Sequence, residues 1–305
     1  MKAARLKSHQ KLKVAPRTLK ARVEGLDLVA SLYAGDAEKQ NPLLFCLPGG
    51  GAAKGYFDLT PELSFARLMN GLGYDVITMD HLGTASNALP KNISFLHPRE
   101  AVDYLAKALT NWTDGRDVIG VGHSMGGMMI TLLQARHTPF KAIALLGSNA
   151  GGLEWGLTDD EKAYIDKPDA LARDLEKLTL KKFGNALAMM GPGGGPSGKS
   201  IVFGAENETL LQALRDNVCE LYTPGGMMSM VRGSFPNEVK GIQVPIFFAF
   251  GDHDIGISPH DAPKAYVNAK SHKLILLKNT GHNHFGFSTT YQIAVEMHGW
   301  SQSLG

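Results

Sequence analysis

Cysteine is scarce: Cys46 and Cys219 are the only two in 305 residues. They have no framework spacing, so no disulfide scaffold is implied, and a reducing cytoplasm is the expected compartment. No run approaches the ~18 apolar residues that a membrane span needs. No apolar stretch follows the basic N-terminus, which argues against a secretory signal. A strong net charge is missing too. The chain carries 31 lysines and arginines against 29 acids, a balance of +2. A general nucleic-acid binder shows a larger basic excess. His-Glu-x-x-His and paired-cysteine motifs are absent, so no metal and no other cofactor is expected.

Acids are lacking in one place. Residues 1–20 contain Lys2, Arg5, Lys7, Lys11, Lys13, Arg17 and Lys20, with no Asp or Glu. The remainder carries 24 bases against 29 acids. Such a run reads as a solvated basic extension leading into a first strand.

What is present is core material: 44% of residues are apolar and 20% charged, which excludes global disorder. Apolar, strand-like runs fall at residues 29–33, 43–47, 76–79, 118–121 and 142–146. Helical spacing falls between them, at 63–72, 98–112 and 125–136. Continuous apolar strands separated by helices predict a parallel sheet covered on both faces. From about Gly151 to Lys240 the pattern turns to helix and loop. Thr158 with Glu161 forms a capping-box pattern. A helix is predicted over 168–183, closed by Gly184, and another over 206–221, with Leu210, Leu214, Val218 and Leu221 on one face. A Gly/Pro loop at 191–198 separates them. Strand signals resume at 245–250 and 274–277, and a closing helix is predicted over 290–302. The expected organisation is a basic extension (1–20), an α/β core (21–150 and 241–305) and a helical insertion (151–240) after the sixth strand. No internal repeat is seen.

Chemistry enters with Gly122-His123-Ser124-Met125-Gly126. Flanking glycines let a chain turn sharply from strand to helix and lift the serine Oγ clear of the sheet. The apolar run before the motif and the helix formers after it supply that setting. A serine hydroxyl needs a base to become a nucleophile. The candidate is His282, in Asn279-Thr280-Gly281-His282-Asn283-His284, after the last strand signal; His284 is its rival. The base needs a carboxylate to hold its tautomer. Asp254 is the candidate, in Gly251-Asp252-His253-Asp254, with Asp252 nearer the strand end. Asn149, after the preceding strand, cannot serve as an anion, and Glu154 is a distant alternative. Oxyanion donors are expected from the amide of Met125 and from Gly50, in the run Leu47-Pro48-Gly49-Gly50-Gly51.

These residues resemble the α/β-hydrolase superfamily from about Val29 to the C-terminus. The order Ser124, Asp254, His282 is that superfamily's order, and Gly281-His282 is the usual form of its histidine site. The insertion falls where its members carry a lid. Asp80-His81-Leu82-Gly83-Thr84-Ala85-Ser86 is similar to its D-x-x-G-x-G-x-S loop, with Ala85 where glycine is common. Pro48 stands where many relatives have histidine, which leaves the bracing of the oxyanion loop open. The resemblance implies a mostly parallel, doubly wound sheet and a serine hydrolase.

A second motif competes. Gly193-Gly194-Gly195-Pro196-Ser197-Gly198-Lys199-Ser200 matches the phosphate-binding loop. That loop should join a core strand to a helix, whereas this run lies in the insertion before Ile201-Val202-Phe203-Gly204, a poor helix start.

The substrate signal is methionine, which fills irregular apolar space. Met128 and Met129 are assigned to the core. Met227, Met228 and Met230 are candidates for a pocket wall, with Gly49 and His123 beside the nucleophile. The expected function is hydrolysis of an ester-type or lactone bond of an apolar or aromatic small molecule through an acyl-enzyme. A serine at position 124 disfavours dehalogenation and epoxide hydrolysis, which need a carboxylate there. Carbon–carbon bond hydrolysis and acyl transfer stay open on the same triad, as does a non-catalytic ligand receptor. A homodimer is left open.

Overall fold

The computed structural model describes residues 15–34, 41–90, 95–189 and 201–304. The chain opens with β1 (Arg17–Val23) and β2 (Leu26–Tyr33). Glu24 and Gly25 join them, both at positive φ (48° and 89°), as a two-residue hairpin turn requires. There follow β3 (Leu43–Leu47), α1 (Phe65–Gly71), β4 (Val76–Met79), α2 (Pro98–Thr113), β5 (Val118–His123), α3 (Met125–His137) and β6 (Ala142–Leu146). The next segment holds α4 (Asp159–Lys162), α5 (Pro168–Phe183), β7 (Leu187–Met189), α6 (Glu208–Asp216), β8 (Glu220–Tyr222), α7 (Thr223–Met230) and α8 (Pro236–Gly241). The chain then returns through β9 (Ile246–His253), β10 (His272–Gly281) and α9 (Thr290–Gln302).

Among the described residues, eight strands form one sheet in the order β1-β2-β4-β3-β5-β6-β9-β10. β2 runs antiparallel to its two neighbours, and every pairing from β4 to β10 is parallel. The apolar runs are continuous because both faces are buried. Leu43, Phe45 and Leu47 enter one core with α2 and α3, while Leu44 and Cys46 enter the other with α1 and α9. The fold is thus the expected doubly wound sheet, interrupted after the sixth strand.

Two sequence expectations change. The helix expected over 206–221 is α6 alone. Its Leu210 and Leu214 are buried as expected, but Val218 bridges to Ala52 and Leu221 lies in β8, paired with β7. Long-range pairing there overrides the helical spacing. The sheet also begins at Arg17, inside the stretch assigned to the basic extension. Residues 1–14, the Gly/Pro loop at 191–198 and the phosphate-loop lookalike at 193–200 lie outside the described residues. Residues 201–203 form a turn, not a helix. No helix among the described residues is long and apolar enough to cross a membrane.

Candidate active site

Ser124 stands between β5 and α3 at φ 51°, ψ −123°. A non-glycine residue at such φ costs about 1–3 kcal/mol and persists only where its surroundings hold it. Two bonds do so: the Ser124 amide donates to Leu146 O, and the Gly127 amide donates to Ser124 O, each at 2.9 Å. Space decides the flanking residues. A Cβ on Gly122 would lie 2.4 Å from Gly126 O, and one on Gly126 would lie 2.2 Å from Leu47 O. The first turn of α3 therefore packs directly on the carboxyl end of β3.

His282 follows the last residue of β10. Its Nε2 is 2.9 Å from Ser124 Oγ and its Nδ1 is 2.5 Å from Asp254 Oδ1. Asp254 lies one residue beyond β9, and its Oδ1 also accepts the Ile255 amide at 2.8 Å. Its Oδ2 accepts His284 Nε2 at 2.7 Å and the Gly251 amide at 3.3 Å. Burial alone would raise this carboxyl's pKa. The electrostatic pull and hydrogen bonds of the His282 and His284 rings outweigh it and hold the group well below the usual carboxylate range. His123, within the serine motif, is buried and donates from Nε2 to His282 O at 2.7 Å. Burial, then the neighbouring His282 and His284, hold its pKa well below the ordinary histidine value, so the ring is neutral. Gly49 packs on it: a Cβ there would lie 2.9 Å from His123 Nδ1.

The rivals named from sequence are separated by these distances. His284 is fully buried and reaches Asp254, whereas His282 reaches Ser124. Asp252 accepts the amides of Asn279 and Thr280 at 2.9 and 3.0 Å, which anchors the irregular end of β10. Asn149 accepts the Gly151 amide at 2.7 Å. Glu154 lies on an exposed single turn.

Sequence reasoning missed the brace of the Pro48–Gly51 loop. Buried His81 donates from Nε2 to Pro48 O at 2.8 Å, and burial keeps the ring neutral by lowering its pKa. Next to it, Asp80 accepts Lys54 N at 2.6 Å, Lys54 Nζ at 3.0 Å and Ser86 Oγ at 2.5 Å. Burial would raise the Asp80 pKa, but the bonds from Ser86 and Lys54 lower it below the usual value. The carboxylate end of β4 thus holds the loop after β3. The available signal was the Asp80-His81 pair at a strand end.

A cavity of about 330 Å³ opens onto Ser124 and His282. Gly49, Gly50, His123 and Met125 line it from the sheet side, and Leu153, Trp155, Phe183, Leu221 and Met230 line it from the insertion. Met227 and Met228, expected on the wall, are not there; both are buried in the core. α7 turns about 100° per residue, so Gly226, Ser229 and Met230 share the cavity side and the two methionines between them point away.

A family model described as the alpha/beta hydrolase family matches residues 44–290, and the chain belongs to that family. No curated protein matches the chain. Three solved structures show the same fold. DcsB in complex with its substrate analogue is 16% identical, covering 95% of this chain and 99% of that one, with a TM-score of 0.64. The thioesterase domain from the curacin biosynthetic pathway is 15% identical, covering 95% and 100%, with a TM-score of 0.62. A thermophilic esterase from Thermogutta terrifontis is 11% identical, covering 94% and 99%, with a TM-score of 0.60.

Proposed function

We propose that the chain is a serine hydrolase that cleaves an ester-type acyl bond of an apolar or aromatic small molecule. The observation that carries this is the hydrogen-bonded series Ser124 Oγ, His282, Asp254 at 2.9 and 2.5 Å, at the mouth of an apolar cavity. His282 Nε2 takes the Ser124 proton as Oγ attacks the acyl carbon. Asp254 holds the Nδ1–H tautomer and stabilises the imidazolium that forms. The tetrahedral oxyanion lies between the amides of Met125 and Gly50, near the positive end of α3. His282 protonates the leaving group, and water then releases the acyl group through the same base.

The cavity supports the choice of substrate. Its volume lies within the ~300–1,000 Å³ range of small-molecule sites. Insertion residues roof it, which is the basis for reading residues 151–240 as a lid. Thioesterase and esterase structures of the same fold are consistent with acyl chemistry.

The test is labelling by a fluorophosphonate probe, together with a panel of p-nitrophenyl esters of rising acyl length. Wild type should label, and Ser124→Ala should not. Ser124→Ala should also lose at least about 10³-fold in kcat. Unlabelled wild type, with ligand binding retained, would instead favour a receptor.

A further inference from the structure

Ser124 and His282 also border a smaller chamber of about 30 Å³, which adjoins the apolar cavity and shares Met125, Leu153, Ser229 and Ile255 with it. Its walls include Ser148 and Asn149, just beyond β6, Ser229 on α7, and Met128 on α3. A cavity of more than ~10–15 Å³ has room for a water, which needs two to four polar partners to be held. This chamber offers them. Ser148 is buried, and its hydroxyl has no hydrogen-bond partner among the described residues. Asn149 uses its Oδ1 on the Gly151 amide, which leaves its NH₂ group to donate elsewhere. Ser229 Oγ donates to Gly226 O at 2.9 Å and keeps lone pairs to accept. The apolar cavity is about ten times larger and has mostly carbon on its insertion side.

We propose that this chamber is the seat of the water that hydrolyses the acyl-enzyme, positioned by Ser148, Asn149 and Ser229. The inference rests on Ser124 being the nucleophile. The water oxygen attacks the acyl carbonyl carbon, forming a C–O bond, while its proton passes to His282 Nε2. The bond from that carbon to Ser124 Oγ then breaks, and His282 returns the proton to Oγ. The products are a carboxylic acid and free enzyme.

The experiment separates acylation from deacylation. Stopped-flow p-nitrophenol release and intact mass are followed for wild type, Ser148→Val, Asn149→Leu and Ser148→Ala, at two positions that line the chamber and not the apolar cavity. The valine puts a methyl group into the chamber, and the leucine replaces the amide by an apolar group of similar size. Acylation should stay within about threefold of wild type, while deacylation slows by about tenfold or more and an acyl adduct accumulates on Ser124. Ser148→Ala, which only deletes the hydroxyl, should slow deacylation by less. Fluorophosphonate labelling of Ser124 shows which variants keep a folded site, and either Ser148→Val or Asn149→Leu suffices if the other does not fold. Normal labelling with wild-type deacylation in these two variants overturns the proposal. A wild type that forms no Ser124 adduct with any ester removes the catalytic reading itself, and this proposal with it.

Discussion

His284 Nε2 lies 2.7 Å from Asp254 Oδ2, on the carboxylate oxygen that His282 does not use. One buried carboxylate thus serves two imidazoles, and only one of them reaches Ser124. Asp254 is thereby held from both sides, which fixes the plane in which it meets His282.

His284→Phe keeps the ring and removes the donor. Asp254 Oδ2 would retain only the Gly251 amide at 3.3 Å. Leaving a buried acceptor short of a partner costs about 1–3 kcal/mol. We expect kcat to fall about tenfold with KM little changed, and Tm to fall as well. Steady-state kinetics beside thermal melts check both. An unchanged kcat would mean that His284 only fills space.

Gly126→Ala should disturb the oxyanion loop from the helix side. The new Cβ would meet Leu47 O at 2.2 Å and Pro48 O at 2.4 Å, both main-chain atoms that cannot swing aside. Overpacking of this kind costs about 1–3 kcal/mol. The loop that carries Gly50 must shift, so kcat should drop by about 10²-fold, as when one oxyanion donor is lost. A variant with wild-type kcat would place the oxyanion elsewhere.

Acid should destabilise the fold below about pH 6.5, the ordinary histidine value. His81, His97 and His123 all have lowered pKa values, in each case first because burial penalises the charged ring. Below the ordinary value the unfolded chain takes up protons that the folded chain refuses. Stability therefore falls as pH drops from about 6.5 towards the folded-state values. Asp254, with its depressed pKa, adds a further loss at lower pH, as its carboxylate is protonated. Tm measured from pH 8 to 5 should decline, and His123→Gln should flatten the slope. Equal slopes in the two proteins would refute the assignment.

Trp155→Ala tests the cavity mouth. Trp155 is 68% exposed, yet it lines the cavity. Loss of an exposed side chain away from the core shifts stability by about 0.5 kcal/mol or less. KM for long-chain or aromatic acyl esters should rise several-fold, while acetyl ester kinetics stay near wild type. A uniform change across chain lengths would count against Trp155 as a substrate contact.

The sequence by itself determined the strand–helix alternation, the break in it after β6, and the serine turn. These depend on local rules: continuous apolar runs, caps such as Thr158 with Glu161, and glycines where two backbones touch. The order Ser124, Asp254, His282 was legible too, because each follows a strand and parallel strands bring their carboxyl ends to one edge. Only the tertiary structure decided which histidine meets Ser124, across 158 positions, and that His284 and Asp252 have other partners. It also decided the bracing of Pro48 by His81, the end of α6 at Asp216, and the presence of Met230 rather than Met227 or Met228 on the cavity. The physical reason is common to all of these. Each depends on a partner far away in the chain, and spacing along a sequence carries no distance in space.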